Sequence, residues 1–136
     1  MITVFMLSHK IKEKKMLDTP DFTNEFDQND VSQNKVTAII GYIPPLFFIQ
    51  LITAKGSKYA RFHANQGLIL LIAYAAVSIV VGIISGIFTA LGLSFIGSIF
   101  GLVEVVPALL MVFGIVQTAK NRSKELPVIG KFRILK

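Results

Sequence analysis

The sequence predicts an all-α integral membrane protein with about three transmembrane helices. Hydrophobic residues make up 53% of the 136 residues, and the mean hydropathy is +0.65, which is high for a soluble domain of this length. The run 62–119 contains a single formal charge, that of Glu104. About 20 consecutive apolar residues span a bilayer, so this run is long enough for more than one crossing.

The first predicted membrane segment covers residues 36–53 and is interrupted by Pro44 and Pro45. The segment is just long enough to cross a hydrocarbon core. Proline removes a backbone donor and clashes with the preceding helical turn. We expect a kinked spanning helix, and the alternative is two short halves that form a re-entrant or interfacial element.

The second and third membrane segments cover residues 66–89 and 95–118. At 1.5 Å per residue each helix would measure ~36 Å, enough to span with some tilt. The turn between them contains Gly92 and no charge. The two segments are therefore predicted to form a tight antiparallel hairpin.

The two ends of the chain differ from this membrane domain, which is predicted at 35–119. Residues 1–34 are polar and are predicted to be a mostly flexible tail, because too little apolar surface is present to offset chain entropy. An alternative is that translation starts at Met16, which would remove the first part of this tail. Residues 120–136 form a basic C-terminal tail.

The distribution of basic residues predicts the orientation, because cytoplasmic loops of membrane proteins carry an excess of Lys and Arg. The loop 54–62 contains Lys55, Lys58 and Arg61, whereas the hairpin turn contains no base. The tail contributes six more, namely Lys120, Arg122, Lys124, Lys131, Arg133 and Lys136. A multi-pass protein of the cell membrane is expected, with this loop and the tail cytoplasmic. The N-terminus would be external if segment one spans and cytoplasmic if it is re-entrant.

The net charge of +6 also bears on the partners of the protein. The bases flank apolar segments rather than covering a folded face, which favours anionic lipid headgroups over nucleic acid. Lys55, Lys58, Arg61 and the basic tail are the predicted contacts. A second copy of the chain or another membrane protein is a further possible partner.

Glu104 is the most unusual residue of the membrane segments. An ionised carboxylate at the centre of a bilayer costs about 2.5–3.5 kcal/mol or more, so such residues often mark proton or substrate pathways. The alternative is a protonated side chain that serves packing alone. Folding of the hairpin predicts Ser78, Ser85 or Tyr74 as its hydrogen-bonding partner.

The stretch KYARFHANQGLILL, residues 58–71, combines polar side chains with the start of an apolar run. His63 could be a general base or a metal ligand, but both roles need further acidic or His residues nearby. The alternative is an interfacial group in the lipid headgroups formed by Tyr59, Arg61, His63, Asn65 and Gln66. Asn65 would then be the N-cap of the second membrane helix. No catalytic, cofactor-binding or metal motif is recognised, and the absence of cysteine excludes thiol chemistry.

Three phrases of the sequence resemble a family of small bacterial membrane proteins of uncharacterised function. They are FTNEFDQNDVSQNKVTAIIGYI, SKYARFHANQGLILLIA and KELPVIGKFRILK. That family is in turn distantly similar to the membrane component of the chloroplast inner-envelope protein-import machinery. The resemblance implies a multi-helix membrane domain with no accepted reaction or cofactor. The import component has four membrane helices, whereas at most three are predicted here.

The function expected from the sequence is that of a small polytopic membrane protein, not an enzyme, that acts as a structural or interaction subunit through helix and lipid contacts. The alternative is a proton- or solute-conducting or protein-translocating component that uses Glu104.

Overall fold

The computed structural model describes residues 1–135, without the side chains of Met16 and Leu17. Lys136, one of the six predicted tail bases, therefore lies outside the described residues. The secondary structure of this part of the chain is helical, with one isolated β-bridge between Asp21 and Lys124. Its α-helices are α1 (Ile2–Leu17), α2 (Gln28–Ile40), α3 (Phe47–Thr53), α4 (Lys58–Ala90), α5 (Ser94–Phe100) and α6 (Val105–Ala119), and short 3-10 helices cover Thr23–Glu25 and Gly101–Glu104.

Two helical stretches are long and apolar enough to cross a membrane. They are α4, with 33 residues, and the stretch Ser94–Ala119, in which α5, a 3-10 turn and α6 follow one another over 26 residues. Only 17% and 11% of their most apolar windows are buried inside the protein. Apolar helices this exposed are suited to lipid, since a core helix of a soluble protein would be covered. The predicted class and two of the predicted membrane segments agree with the structure, whereas a third transmembrane helix is not confirmed.

Helices α4 and α5 form the predicted hairpin, and they approach closely at one point. Ser85 Oγ donates a hydrogen bond to the carbonyl oxygen of Gly97 at 2.9 Å. A Cβ on Gly97 would lie 3.0 Å from the Cα of Ser85, so glycine is what lets the backbones meet here. In the turn, Gly92 has a φ of +77°, a conformation that residues with a Cβ rarely adopt.

Segment one does not form a single kinked helix, so that prediction is wrong. Helix α2, with 13 residues, measures ~20 Å and α3, with 7 residues, measures ~10 Å, and neither reaches across a ~30 Å hydrocarbon core. The residues 41–46 separate them, and the Pro44-Pro45 peptide bond in this turn is cis.

Contacts with α4 show how α2 and α3 run. Along α2 the contacts advance with α4, because Val31 shares a buried cluster with Tyr59 and, just beyond the helix, Tyr42 shares one with Leu70. Along α3 they run backwards. Phe47 lies beside Gly67, and after the helix the carbonyl oxygen of Lys55 accepts a hydrogen bond from Arg61 at 3.5 Å. The chain therefore descends beside the first half of α4, turns, and returns to the end from which it started.

Residues 1–34, predicted to be a mostly flexible tail, include helix α1, a 3-10 turn and the start of α2. Helix α1 is exposed along its described side chains, but the residues that follow it pair with the C-terminal tail. The amide of Phe22 donates to the carbonyl of Ser123 at 2.9 Å, and the amide of Glu125 donates to that of Pro20 at 3.1 Å. Residues 20–31, 57–66 and 118–135 thus meet at one end of the molecule, and we call these three stretches the cap.

Candidate functional site

The N-terminus of α4 lies inside the cap and is held by Ser57 and Asp30. The Ser57 hydroxyl accepts a hydrogen bond from the amide of Ala60 at 2.9 Å, which makes Ser57 the N-cap. The Asp30 carboxylate accepts from the Ser57 hydroxyl and from the amide of Tyr59. The prediction that Asn65 is the N-cap is wrong, because the helix begins two turns earlier. The Asn65 side chain is consequently available for other partners.

Asn65 binds the last described residues of the tail. Its Oδ1 accepts hydrogen bonds from the amides of Ile134 and Leu135 at 2.8 and 3.0 Å. Its Nδ2 donates to the carbonyl of Phe132 at 2.8 Å. Asn65 is 1% exposed, so its amide is buried and depends on these backbone groups as its hydrogen-bonding partners.

Gln66 binds an earlier part of the tail in the same way. Its Oε1 accepts from the amide of Leu126 at 2.9 Å, and its Nε2 donates to the carbonyl of Gly130 at 3.0 Å. A Cβ on Gly130 would lie 2.7 Å from Gln66 Oε1 and closer still to the backbone of Leu126. The absence of a side chain at Gly130 therefore lets the tail fold back onto Gln66.

His63 is the centre of a buried group of hydroxyls. Its Nδ1 lies 2.8 Å from the Tyr42 hydroxyl and 3.5 Å from that of Thr118, and its Nε2 lies 3.4 Å from the Ser123 hydroxyl. The ring is 0% exposed and packs edge-on against Tyr59, at 4.6 Å between centroids. A Ser–His pair can serve nucleophilic catalysis. This pair is buried away from any substrate, and the described hydrogen-bonding partners of the ring are all hydroxyls. The arrangement instead connects the end of α2, the start of α4, the end of α6 and the tail.

The five residues predicted to lie among lipid headgroups have two different environments. Tyr59, His63, Asn65 and Gln66 are at most 1% exposed and contact other parts of the protein, so the predicted headgroup surroundings are replaced by the cap. Arg61 is exposed on the outer side of the same helical turns. A polar stretch before an apolar run has the same composition in both cases, and the sequence could not distinguish headgroups from a protein cap.

The charged groups of the cap reinforce the pairing of the two chain ends. Arg133 forms a 2.6 Å ion pair with Glu125, and its guanidinium lies over the rings of Phe22 and Phe62, at 5.2 and 5.1 Å from their centroids. The pKa of Asp21 lies below its ordinary value. Burial is the largest single influence and raises this pKa. Hydrogen bonds from Thr23 and the cations Lys124 and Arg122 lower it, and their sum outweighs the effect of burial.

Glu104 lies at the end of the 3-10 turn in the second apolar stretch and is partly exposed. The Ser85 hydroxyl, one of its three predicted partners, donates instead to the carbonyl oxygen of Gly97. Among the described residues, Ser78 and Tyr74 form no hydrogen bond with Glu104 either. Tyr74 is 43% exposed and lines an apolar cavity of about 370 Å³ with Pro44 and Pro107.

Sequence reasoning did not find several residues of the His63 group, namely Tyr42, Thr118 and Ser123. They are far apart in the sequence, and each resembles an ordinary polar residue near a helix end. Within residues 1–135, no three His, Cys, Asp or Glu side chains are close enough together to hold a metal ion.

The fold and the site define a class of protein: a small α-helical membrane protein with two apolar helical stretches and a cap in which amides of the first stretch bind the C-terminal tail. Residues 34–133 match the model of the MamF/MmsF family, described as the magnetosome magnetite crystal formation protein family. This match covers most of the chain, so the protein belongs to that family. No curated protein and no solved structure matches the chain.

The family match agrees with part of the resemblance stated from the sequence. It supports a bacterial membrane-associated family, and it includes both the FHANQGL phrase at 62–68 and most of the tail phrase. The similarity to the chloroplast import component is not shown.

Proposed function

We propose that this protein is a structural or interaction subunit of a membrane-protein assembly, and not an enzyme. It would act through helix and lipid contacts in the process that its family description names, magnetite crystal formation. The observation that carries the proposal is that the buried polar side chains and the apolar side chains have different partners. The buried amides and His63 are engaged in binding the chain's own tail, whereas the apolar helices present most of their surface outward.

We further propose a topology in which two helices span and α2–α3 is a re-entrant hairpin. The N-terminal segment, the loop before α4 and the tail would then lie together on the cytoplasmic side, with the turn at Gly92 on the opposite side. The hydrogen bonds between residues 20–23 and 123–125 support this arrangement, because paired backbones must be on the same side of a membrane. The excess of Lys and Arg in the loop and tail supports the cytoplasmic assignment.

The proposed partner is a second copy of the chain or another membrane protein that packs against α4. A Cβ added at Gly82 or Gly86 would meet no atom within 4 Å, so both glycines lie on an open face of the helix. Helices in lipid associate chiefly where small residues let backbones approach. An open face of small residues therefore favours lateral association with another helix over an enzymatic role.

Copurification in mild detergent tests this function. Tagged and untagged copies of the full chain are expressed together, and the tagged copy is isolated from the membrane. The proposal predicts that it retains the untagged copy or a second membrane protein in a defined ratio. A tagged chain that is recovered alone, and that remains monomeric in lipid nanodiscs, would contradict it.

A second candidate function is proton or solute conduction, and Glu104 is the observation that favours it. A carboxylate within an apolar span, with no hydrogen bond to the described residues, is the kind of group that transport pathways use. Proteoliposome flux assays with the wild type and Glu104→Gln separate the candidates. The structural proposal predicts no flux from either protein. Flux that the wild type supports and Glu104→Gln abolishes would replace it with conduction.

A further inference from the structure

The outer surface of the cap contains a concave pocket of about 300 Å³. Three separate parts of the chain line it: the N-terminal segment around Phe22 and Phe26, the first turns of α4, and the end of the tail.

The charges that line the pocket are predominantly positive. Among the described lining residues, Lys58, Arg61 and Arg133 contribute cations and Glu25 contributes a carboxylate, while Glu125 is paired with Arg133. A guanidinium presents a planar set of donors that matches phosphate oxygens, and a lysine adds a flexible positive charge. We propose that this pocket binds the phosphate group of an anionic phospholipid headgroup, an inference that rests on the membrane role proposed above.

Arg133 shows that the pocket is preorganised for such a group. Its ion pair with Glu125 and its position over the rings of Phe22 and Phe62 hold the guanidinium in place before any ligand arrives. Less side-chain entropy is then lost on binding. The same rings form an apolar wall, which suits the glycerol end of a lipid better than a fully hydrated ion.

The depth of the pocket along α4 agrees with a lipid headgroup. Arg61 precedes Gly67, where the apolar run begins, by about 9 Å at 1.5 Å per residue. The polar layer on each side of a bilayer is about 5–8 Å thick. The cations of the first helical turn would therefore lie at the outer edge of the headgroups, where lipid phosphates are within reach of their side chains.

A bound headgroup would also connect the three parts of the chain that line the pocket. The N-terminal segment and the tail are held mainly by hydrogen bonds near Ser123 and Asn65, and a phosphate between Lys58, Arg61 and Arg133 would add a further link. Occupation of the pocket should therefore protect the backbone amides of residues 20–26 and 130–135 from hydrogen exchange.

Native mass spectrometry of the full chain in detergent tests the inference. Phosphatidylglycerol is added as the anionic lipid and phosphatidylcholine as the zwitterionic one. We expect the wild type to retain one phosphatidylglycerol molecule, with protection of residues 20–26 and 130–135. The variant Lys58→Gln with Arg61→Gln should bind it about 10- to 30-fold more weakly, because each base near an anionic surface contributes to binding.

The matched control is Lys120→Gln with Arg122→Gln, which removes the same charge outside the pocket and should retain the lipid. Equal loss of lipid in both double variants, or no retention by the wild type, would overturn the inference. A third arm replaces the lipid with inorganic phosphate. Protection of the same amides by millimolar phosphate alone would show that the pocket takes the free anion, and protection by phosphatidylglycerol alone would identify the lipid. Because the assay needs no partner protein, its failure leaves the copurification result unaffected.

Discussion

Asn65 and Gln66 show what buried primary amides contribute to this protein. Each amide has a donor and an acceptor, and each uses both on backbone groups of the tail. The sequence phrase that contains them, residues 58–71, predicts a boundary between water and lipid, because polar side chains there precede an apolar run. Their partners lie 60 or more positions away, so no local pattern could have revealed them.

Replacement of Gln66 by leucine tests the role of these amides. Gln66→Leu would leave the amide of Leu126 and the carbonyl of Gly130 without partners inside the protein. We expect a loss of about 2–6 kcal/mol of stability, since each of the two unsatisfied buried groups costs about 1–3 kcal/mol. Thermal unfolding in detergent measures the loss, and limited trypsin digestion should cut the tail at Lys131 much faster. Gln33→Leu, at an exposed amide of α2, is the control and should change stability by less than about 0.5 kcal/mol.

Val128 is a second residue with a testable role. Its φ is +68°, and the amide of Ile129 donates to the carbonyl of Pro127 across it at 2.8 Å, which makes a tight three-residue turn. A β-branched residue is strained in this conformation, and its side chain is 72% exposed, so little packing compensates. Val128→Gly should therefore raise stability by about 1 kcal/mol, as the strain relieved exceeds the added chain entropy. An unfolding temperature lower than that of the wild type would show that Val128 is not strained.

At the scale of the helices, the sequence predicts the long apolar spans, which depend on hydropathy. It does not predict the start of α4 or the form of segment one, which depend on packing. The apolar parts of α4 and of Ser94–Ala119 were found because lipid-facing helices need long uncharged runs. Helix α4 starts at Lys58, whereas the sequence predicts a start at residue 66, because the polar residues before it resemble an interface. The sequence predicts a kinked helix for segment one, and the structure has a turn there, because a Pro-Pro pair is compatible with both.

The packing of α2 and α3 on α4 depends on close contact at Gly67. A Cβ there would collide with the carbonyl oxygen of Gly41 and approach Phe47 Cβ to 3.0 Å. Gly67→Ala should destabilise the protein by about 1–3 kcal/mol, the usual cost of overpacking. Gly101→Ala, in the second apolar stretch, is the control, since open space surrounds that position and its backbone is helical, and it should be neutral or slightly stabilising. Similar unfolding temperatures for the two variants would show that the hairpin does not pack on α4 as described.

At the scale of the whole molecule, the described chain has two regions with different solvents. The cap buries polar side chains against backbone from both chain ends, and the apolar helices expose most of their surface. The class of the protein could be predicted, because composition determines which solvent a helix tolerates. The cap could not, because residues 20–31 looked too polar to order and were stabilised by pairing with the tail, a contact between the two ends of the chain.

In the proposed topology, the N-terminal segment, the tail and the start of α4 share one side of the membrane. The chain has no native cysteine, so single cysteines can be introduced at Asn24, Leu93 and Lys131 and treated with a membrane-impermeant thiol reagent. In right-side-out spheroplasts, Leu93→Cys should react at once, whereas Asn24→Cys and Lys131→Cys should react only after permeabilisation. Reaction of Asn24→Cys before permeabilisation, with Lys131→Cys still protected, would contradict the account, because segment one would then have to cross the membrane.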